Sequence, residues 1–322
     1  MIPSTSLIVV STGILAALAV LVLGYLGTLW LPLDILANFR LHAAGAALIL
    51  MVALLVPRLW FTVSLTGFLI LMILIGLSAH FAVAIQPAER APLQGERQVK
   101  LLSFNSWASN NDLAAIEQML RGANADLVVM QEVFSDKQPL LKSLADLYPF
   151  QENCSGKAGC QMVILSKQPI LATRFEILSD DLPVLSAQFG RGFGGLKLMT
   201  VHTLRPPRIY DQQRQMAALA ARVRQETATP LIIAGDFNTT PFSLLFDDFV
   251  RASGLTASQI WPTWPAWPLP LPQLAIDHMF FGGSVRVLDA ALPATAAASD
   301  HLPILASFAI RPAPEAAVVT KP

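Results

Sequence analysis

The stretch GDFN, Gly235 to Asn238, closes the apolar run LIIA with a carboxylate and a carboxamide two residues apart. Side chains two apart on a strand share a face. Asp236 and Asn238 would therefore enter one pocket, and Gly235 would let neighbouring backbone come close. Five other places pair an apolar run with a polar end. LLSFN ends at Asn105, LVVMQE at Gln131 and Glu132, and LMTVH at His202. LAIDHMF sets Asp277 and His278 at the start of a strand, and ASDHLPI sets Ser299, Asp300 and His301 just before another. Gathered in one place, such carboxylates, amides and imidazoles can hold a hard cation and move protons. Taken singly, each has an ordinary explanation. Asp-x-Asn after a strand is a turn signal, Gln131 and Glu132 fit a solvated strand end, His202 fits a structural histidine, and Asp300-His301 fits a loop cap.

The elements that must position these residues alternate along the chain. VKLLSFNSW, DLVVMQEV, QMVILSK, RFEILS, PVLSAQFG, LKLMTVHTL, PLIIAGDFN, IDHMFFG, VRVLDAAL and PILASFAI read as strands, with Gly192 to Gly195 turning PVLSAQFG into LKLMTVHTL as a hairpin. DLAAIEQMLRG reads as an amphipathic helix closed by Gly122, and QPLLKSLADL is helical. DQQRQMAALAARVRQE puts Met216, Leu219 and Val223 on an inner face, and PFSLLFDDFVRASG is a further helix. So many strands with few helices predict a four-layered α/β sandwich, two packed and mostly antiparallel sheets flanked by helices.

Composition divides the chain. Within the first 85 of its 322 residues only Asp34, Arg40 and Arg58 are charged. Leu7 to Trp30, Leu41 to Val56 and Leu59 to Ile85 are expected to be three transmembrane helices, the first without the basic leader of a cleaved signal peptide. Trp30, Trp60 and Phe61 fall near segment ends, where aromatic residues favour the interface. His42 and His80 also lie near the ends, which suits interfacial hydrogen bonds. The resulting plan is a membrane region at 1–86, a linker at 87–97, a catalytic domain at 98–311 and a tail at 312–322. The globular part is electrically balanced, without the basic excess of a nonspecific nucleic-acid binder. The chain's two cysteines, Cys154 and Cys160, flank what reads as a hairpin tip. They are either a disulfide, which needs an oxidising compartment, or two free thiols. Together with the weak positive-inside balance, this places the domain outside the cytoplasmic membrane, facing the periplasm or exterior.

The motifs SFN, QEV, VHT, GDFN, IDHMF and SDHLPI, in this order over residues 98 to 310, resemble the endonuclease/exonuclease/phosphatase superfamily, which includes DNase I-like nucleases, inositol polyphosphate phosphatases and neutral sphingomyelinases. With the apolar N-terminal segments, the chain is similar to membrane-anchored bacterial members linked to lipid-carrier phosphates. The resemblance implies a divalent cation, Mg²⁺ or alternatively Mn²⁺, with Glu132 as principal ligand supported by Asn105 and Asp300. It implies that Asp236 orients or deprotonates the attacking water, that Asn238 holds a phosphate oxygen, and that His202 and His301 flank the phosphate. Asp277 would bond His301 and fix its tautomer. His278 stands where the family often has Tyr, which bears on substrate contacts. Arg205, Arg208 and Arg214 are either phosphate clamps or solvated positions.

The expected activity is that of a membrane-anchored, Mg²⁺-dependent phosphoesterase whose partners are the lipid bilayer and a phosphorylated lipid substrate. An extracytoplasmic nuclease is the alternative, with nucleic acid the less favoured substrate. An inactive scaffold is disfavoured by the intact acidic and histidine set. Trp261 to Gln273, WPTWPAWPLPLPQ, is either a loop covering the sheet edge or an interfacial element dipping toward lipid.

Overall fold

The structure, a computed structural model, describes residues 4–53, 91–157, 159–226, 230–258, 260–267, 273–293 and 295–312. Helix α1 (Ser4–Tyr25) is uncharged. The stretch Ile8–Thr28, with mean hydropathy 2.4, is the one helix among the described residues long and apolar enough to cross a bilayer. A single-turn helix α2 (Asp34–Ala37) follows, then α3 (Arg40–Ala53). Ala43, Ala44 and Ala47 of α3 pack on Ile14, Ala17 and Leu21 of α1, because small side chains let helices approach closely. The 14 described residues of α3 rise only about 21 Å, less than the ~30 Å hydrocarbon core. The expected second span continues past residue 53, and the third, Leu59 to Ile85 with His80, lies outside the described residues. Among those described, the expected three spans therefore reduce to one.

The globular part runs β1 (Arg97–Asn105), α4 (Leu113–Ala123), β2 (Leu127–Gln131), α5 (Gln138–Ser143), β3 (Phe150–Asn153), β4 (Val163–Ser166), β5 (Ile170–Leu178), β6 (Leu182–Phe189) and β7 (Lys197–His202). It continues α6 (Ile209–Arg224), β8 (Leu231–Asp236), α7 (Leu244–Ser253), β9 (Thr256–Ala257), β10 (Asp277–Gly282), β11 (Val285–Ala291) and β12 (Ile304–Ile310). Two six-stranded sheets form, ordered β11-β12-β1-β2-β4-β3 and β5-β6-β7-β8-β10-β9. Each has one parallel pair, β1 with β2 and β7 with β8, and is otherwise antiparallel. The hairpin from β6 to β7 turns through Gly194 and Gly195, both at positive φ. Helix α4 ends one residue past Gly122, and Asn124 in the left-handed conformation is its cap. Asn tolerates that conformation, so Gly122 was the wrong stop signal.

Strand alternation sorts the apolar residues into layers. Val99, Leu101, Val129, Leu198, Ile232 and Met279 fill the space between the sheets. Leu102, Phe104 and Val128 point outward under α4 and α5, while Val201, Ile233 and Phe280 point outward under α6 and α7. The order of layers is α/β/β/α, with Met216, Leu219 and Val223 of α6 buried as expected.

The N-terminal part docks on this sandwich. Asp34 Oδ1 accepts from the Leu244 amide at 2.9 Å and Asp34 Oδ2 from Ser243 Oγ, placing a carboxylate at the N-terminus of α7, where the helix dipole favours it. Asn38 Oδ1 accepts from the Thr240 amide at 2.9 Å and its hydroxyl at 2.7 Å. His42 Nε2 lies 2.7 Å from Gln273 Oε1. Arg40 donates to the Gly24 carbonyl and sits 3.9 Å above the Tyr25 ring.

Candidate active site

The six polar tips meet at one end of the inter-sheet core, and topology explains why. Asn105, Gln131, His202 and Asp236 are the last residues of β1, β2, β7 and β8, the strands of the two parallel pairs. Strands β10 and β12 run antiparallel to β8 and β1, so their beginnings lie at the same edge. Asp277 pairs with Asp236, and Ile304 with Ser103. Asp300 and His301 lie in the turn just before β12.

Parity decides which side chains turn inward. Leu198, Thr200 and His202 alternate onto the face that looks between the sheets, as do Ile232, Ala234 and Asp236. Met279 and Phe281 lie on that face of β10, and so does Asp277, while His278 and Phe280 point outward. Gln131 faces inward too, and its Nε2 donates across the sheets to Thr200 Oγ1 at 2.9 Å. Glu132 would then face outward, but its φ of 58° reverses the alternation and returns the carboxylate to the site. A non-glycine residue held there costs about 1–3 kcal/mol, a strain characteristic of functional positions. Gly235 answers a packing need: a Cβ on it would meet the Val201 carbonyl oxygen at 2.1 Å.

Asp236 is the hub. Its Oδ1 accepts from the Asn238 amide at 2.8 Å and its Oδ2 from Asn105 Nδ2 at 3.1 Å. His202 Nε2 and His301 Nε2 stand 3.4 and 3.8 Å from the same Oδ2. Burial raises the Asp236 pKa, Asp277 adds to the rise, and the two histidines oppose it. His301 Nδ1 lies 2.8 Å from Asp277 Oδ2. A carboxylate can only accept, so Nδ1 carries the proton and Nε2 faces Asp236. Burial disfavours a charged His301, but Asp277, Asp236 and Asp300 outweigh it and push its pKa up to about 10.

Glu132 Oε1 accepts from Asn105 Nδ2 at 3.1 Å, and Oε2 accepts from the Ala108 amide. Asp300 Oδ2 accepts from Trp264 Nε1 at 3.2 Å, while its Oδ1 is buried without a donor among the described residues. Burial raises the Asp300 pKa, helped by repulsion from Glu132. These are the marks of a cation site: hard oxygen donors, crowded negative charge and a buried carboxylate oxygen that accepts no hydrogen bond among the described residues. Asp236, Asp277 and His301 offer donor atoms within 4.8 Å of one another. Asp277 and His301 are already bonded to each other, so that trio is better suited to proton transfer. Asn105 lies between the two carboxylates. Its amide oxygen accepts from the Trp107 amide and its nitrogen bridges Glu132 and Asp236, so it positions the two carboxylates and would need to turn over to ligate metal.

Asn238 lines the cavity, with Nδ2 donating to the Thr203 carbonyl at 3.0 Å. The second hydrogen of that amide can still meet a substrate oxygen. Arg205 also lines the cavity, whereas Arg208 pairs with Asp211 and Arg214 with Asp180 and Asp211. His278 is fully buried against Phe246 and Phe280 and bonds the Thr239 carbonyl at 2.8 Å, so it does not contact substrate. Cys154 and Cys160 form a disulfide, and Gly159, Gln161 and Met162 from the same segment reach the cavity. Two described residues of the Trp-rich loop stand at the site: Trp264 holds Asp300, and Trp267 packs on Trp107 at 5.5 Å. Sequence reasoning missed Trp107 and the N-terminal residues Ile35, Asn38 and Phe39, all of which line the cavity. No local pattern marks them.

An α/β sandwich with a carboxylate–histidine set at the strand ends defines a metal-dependent hydrolase of phosphate esters. The sequence profile of the Endonuclease/Exonuclease/phosphatase family matches residues 102–301, and the chain belongs to that family. A search of curated proteins gives no match. Among solved structures, it is similar to an endonuclease/exonuclease/phosphatase from Beutenbergia cavernae, with 20% identity and a TM-score of 0.54 over 66% of this chain and 72% of that one. It is also similar to the human Nocturnin catalytic domain with bound sulfate, at 16% identity and TM-score 0.53 over 68% and 96%. TDP2 from C. elegans matches at 17% identity and TM-score 0.54 over 66% and 75%. Members of the family use divalent metal ions.

Proposed function

We propose that this enzyme is a membrane-anchored, Mg²⁺-dependent phosphoesterase that hydrolyses a lipid-linked phosphate or diphosphate outside the cytoplasmic membrane. The observation that carries this reading is the joining of two parts: the catalytic domain is bonded, through Asp34, Asn38 and His42, to the segment that follows a membrane-length helix. The same docking supports a reading in which that segment and the catalytic domain share one side of the bilayer. Three crossings, with the amino terminus inside, satisfy this condition, and the Cys154–Cys160 disulfide suits an oxidising exterior.

A divalent cation held by Glu132 and Asp300 would neutralise phosphate oxygens and lower the pKa of a bound water. Asp236 takes the proton of the attacking water, a task its raised pKa suits. Asn105 and the Asn238 amide hold the Asp236 carboxylate in place. His301, kept protonated by Asp277, donates through Nε2 to the charge that develops on the phosphoryl group or leaving oxygen. His202 stands beside the same Asp236 oxygen as His301, and Asn238 contributes its remaining amide hydrogen.

Phosphate release by the full-length protein from lipid phosphates, sugar phosphates and DNA, with and without Mg²⁺, tests this reading. Metal-dependent release from lipid phosphates is expected, with loss in Glu132→Ala. Preferential, salt-sensitive degradation of DNA would instead establish the nuclease alternative.

A further inference from the structure

The cavity that contains Glu132, His202, Asp236 and His301 measures about 770 Å³, the size of a pocket for an organic ligand rather than a lone phosphate. Part of its wall comes from outside the family domain. Ile35 and Phe39, on the segment between α1 and α3, line the same cavity as Trp264, Leu274 and Ile276. Phe39 packs edge-on against His42 at 5.9 Å and keeps 43% of its surface uncovered by the protein. The two residues are held there by their neighbours. Asp34 and Asn38 are bonded to Ser243, Leu244 and Thr240, and His42 to Gln273. This segment also begins where the membrane-length helix ends, beside the exposed Leu29 and Trp30. An apolar wall at the membrane surface, opening into a phosphate-handling cavity, matches an amphiphile with its phosphate inside and its chain leading back to the bilayer.

We propose that Ile35 and Phe39 form a chain subsite: they bind the first carbons of the apolar chain adjoining the phosphate of the lipid substrate, so that the N-terminal segment completes the active site. This rests on the lipid-phosphoesterase reading above and adds the residues that select the lipid. The wall touches the chain in the ground state and the transition state alike, so its loss is felt in KM more than in kcat.

The test uses the full-length protein in lipid nanodiscs and two substrates, a long-chain polyprenyl phosphate in the bilayer and water-soluble phenyl phosphate. Expected is a fall of about tenfold or more in the ratio of kcat/KM values (lipid over soluble) for Ile35→Ala/Phe39→Ala, mainly through the lipid KM. Phe39→Leu, which keeps an apolar contact, should retain most of the ratio. Independently, Asn38→Cys paired with Thr240→Cys should form a disulfide in the membrane-embedded protein, reporting that the segment is docked. A wild-type preference for the lipid with an unchanged ratio in the double variant overturns the subsite alone, as does absence of the Asn38–Thr240 cross-link. A wild type that hydrolyses phenyl phosphate but not the polyprenyl phosphate overturns the lipid reading, and the subsite with it.

Discussion

Asp236 and Glu132 illustrate two ways of aiming a carboxylate. Asp236 arrives by strand alternation, continuing the inward set of Ile232 and Ala234. Glu132 arrives by a left-handed backbone that breaks the alternation after Gln131. If Asp236 is the proton acceptor, Asp236→Asn should lower the rate of phosphate release by about 10²–10⁴-fold while leaving the fold intact, as read by single-turnover kinetics and circular dichroism. His278 makes a different prediction. Burial holds its pKa down at about 4, against opposing effects of the Thr239 carbonyl and Asp277. The folded state thus binds fewer protons than the unfolded state, in which the imidazole titrates at about 6.5. The stability this group contributes is whole above that value and is lost as pH falls from about 6.5 toward 4, by an amount on the order of 3 kcal/mol. Urea midpoints measured at pH 7.5 and 5 should therefore converge in His278→Phe relative to wild type. An unchanged pH difference would show that other groups govern the acid sensitivity.

At the scale of elements, the site depends on how closely β7 and β8 approach. In their parallel register Gly235 lies opposite Val201, and a methyl group there would collide with backbone, which cannot move aside as a side chain can. Gly235→Ala is expected to destabilise by more than about 4 kcal/mol, in the range reserved for such backbone effects. Its measure is the chemical-denaturation midpoint, or failure to recover folded protein. The segment closed by Cys154 and Cys160 carries Gly159, Gln161 and Met162 to the cavity. Opening so short a loop, in Cys154→Ala/Cys160→Ala, should cost about 2 kcal/mol, and the thermal midpoint of wild type should fall similarly under reductant. The helix ends show how local signals can mislead. Gly122 is a fair stop signal, yet Asn124 supplies the left-handed cap, and only the packing of α4 on its sheet settles which residue ends the helix.

Taken whole, the molecule couples an anchor to a catalytic sandwich through a few polar bonds. Asp34 is the strongest candidate among them, since its buried carboxylate meets both Ser243 and the first amide of α7. A hydrogen bond to a charged group is worth about 1.5–3 kcal/mol. Asp34→Ala should therefore lower the yield of the Asn38–Thr240 cysteine cross-link and the lipid-to-soluble activity ratio together. An undiminished cross-link would mean that Asn38 and His42 suffice to hold the segment.

The layered fold and the strand-end residues were legible in the sequence because each rests on a short-range rule: alternation along a strand, or an apolar run ending in polar residues; the Asp277–His301 pairing, 24 residues apart, was implied only by the family resemblance. Those rules act within a few residues and therefore leave a mark in the chain order. The backbone reversal at Glu132, the outward burial of His278, the bridging amide of Asn105 and the cavity wall built from Ile35 and Phe39 left no such mark. They depend on contacts between elements distant in the chain, from 27 residues for Asn105 with Glu132 to 202 for Asn38 with Thr240. Contacts of that separation follow from the sum of packing over the whole chain, and only the assembled structure contains that sum.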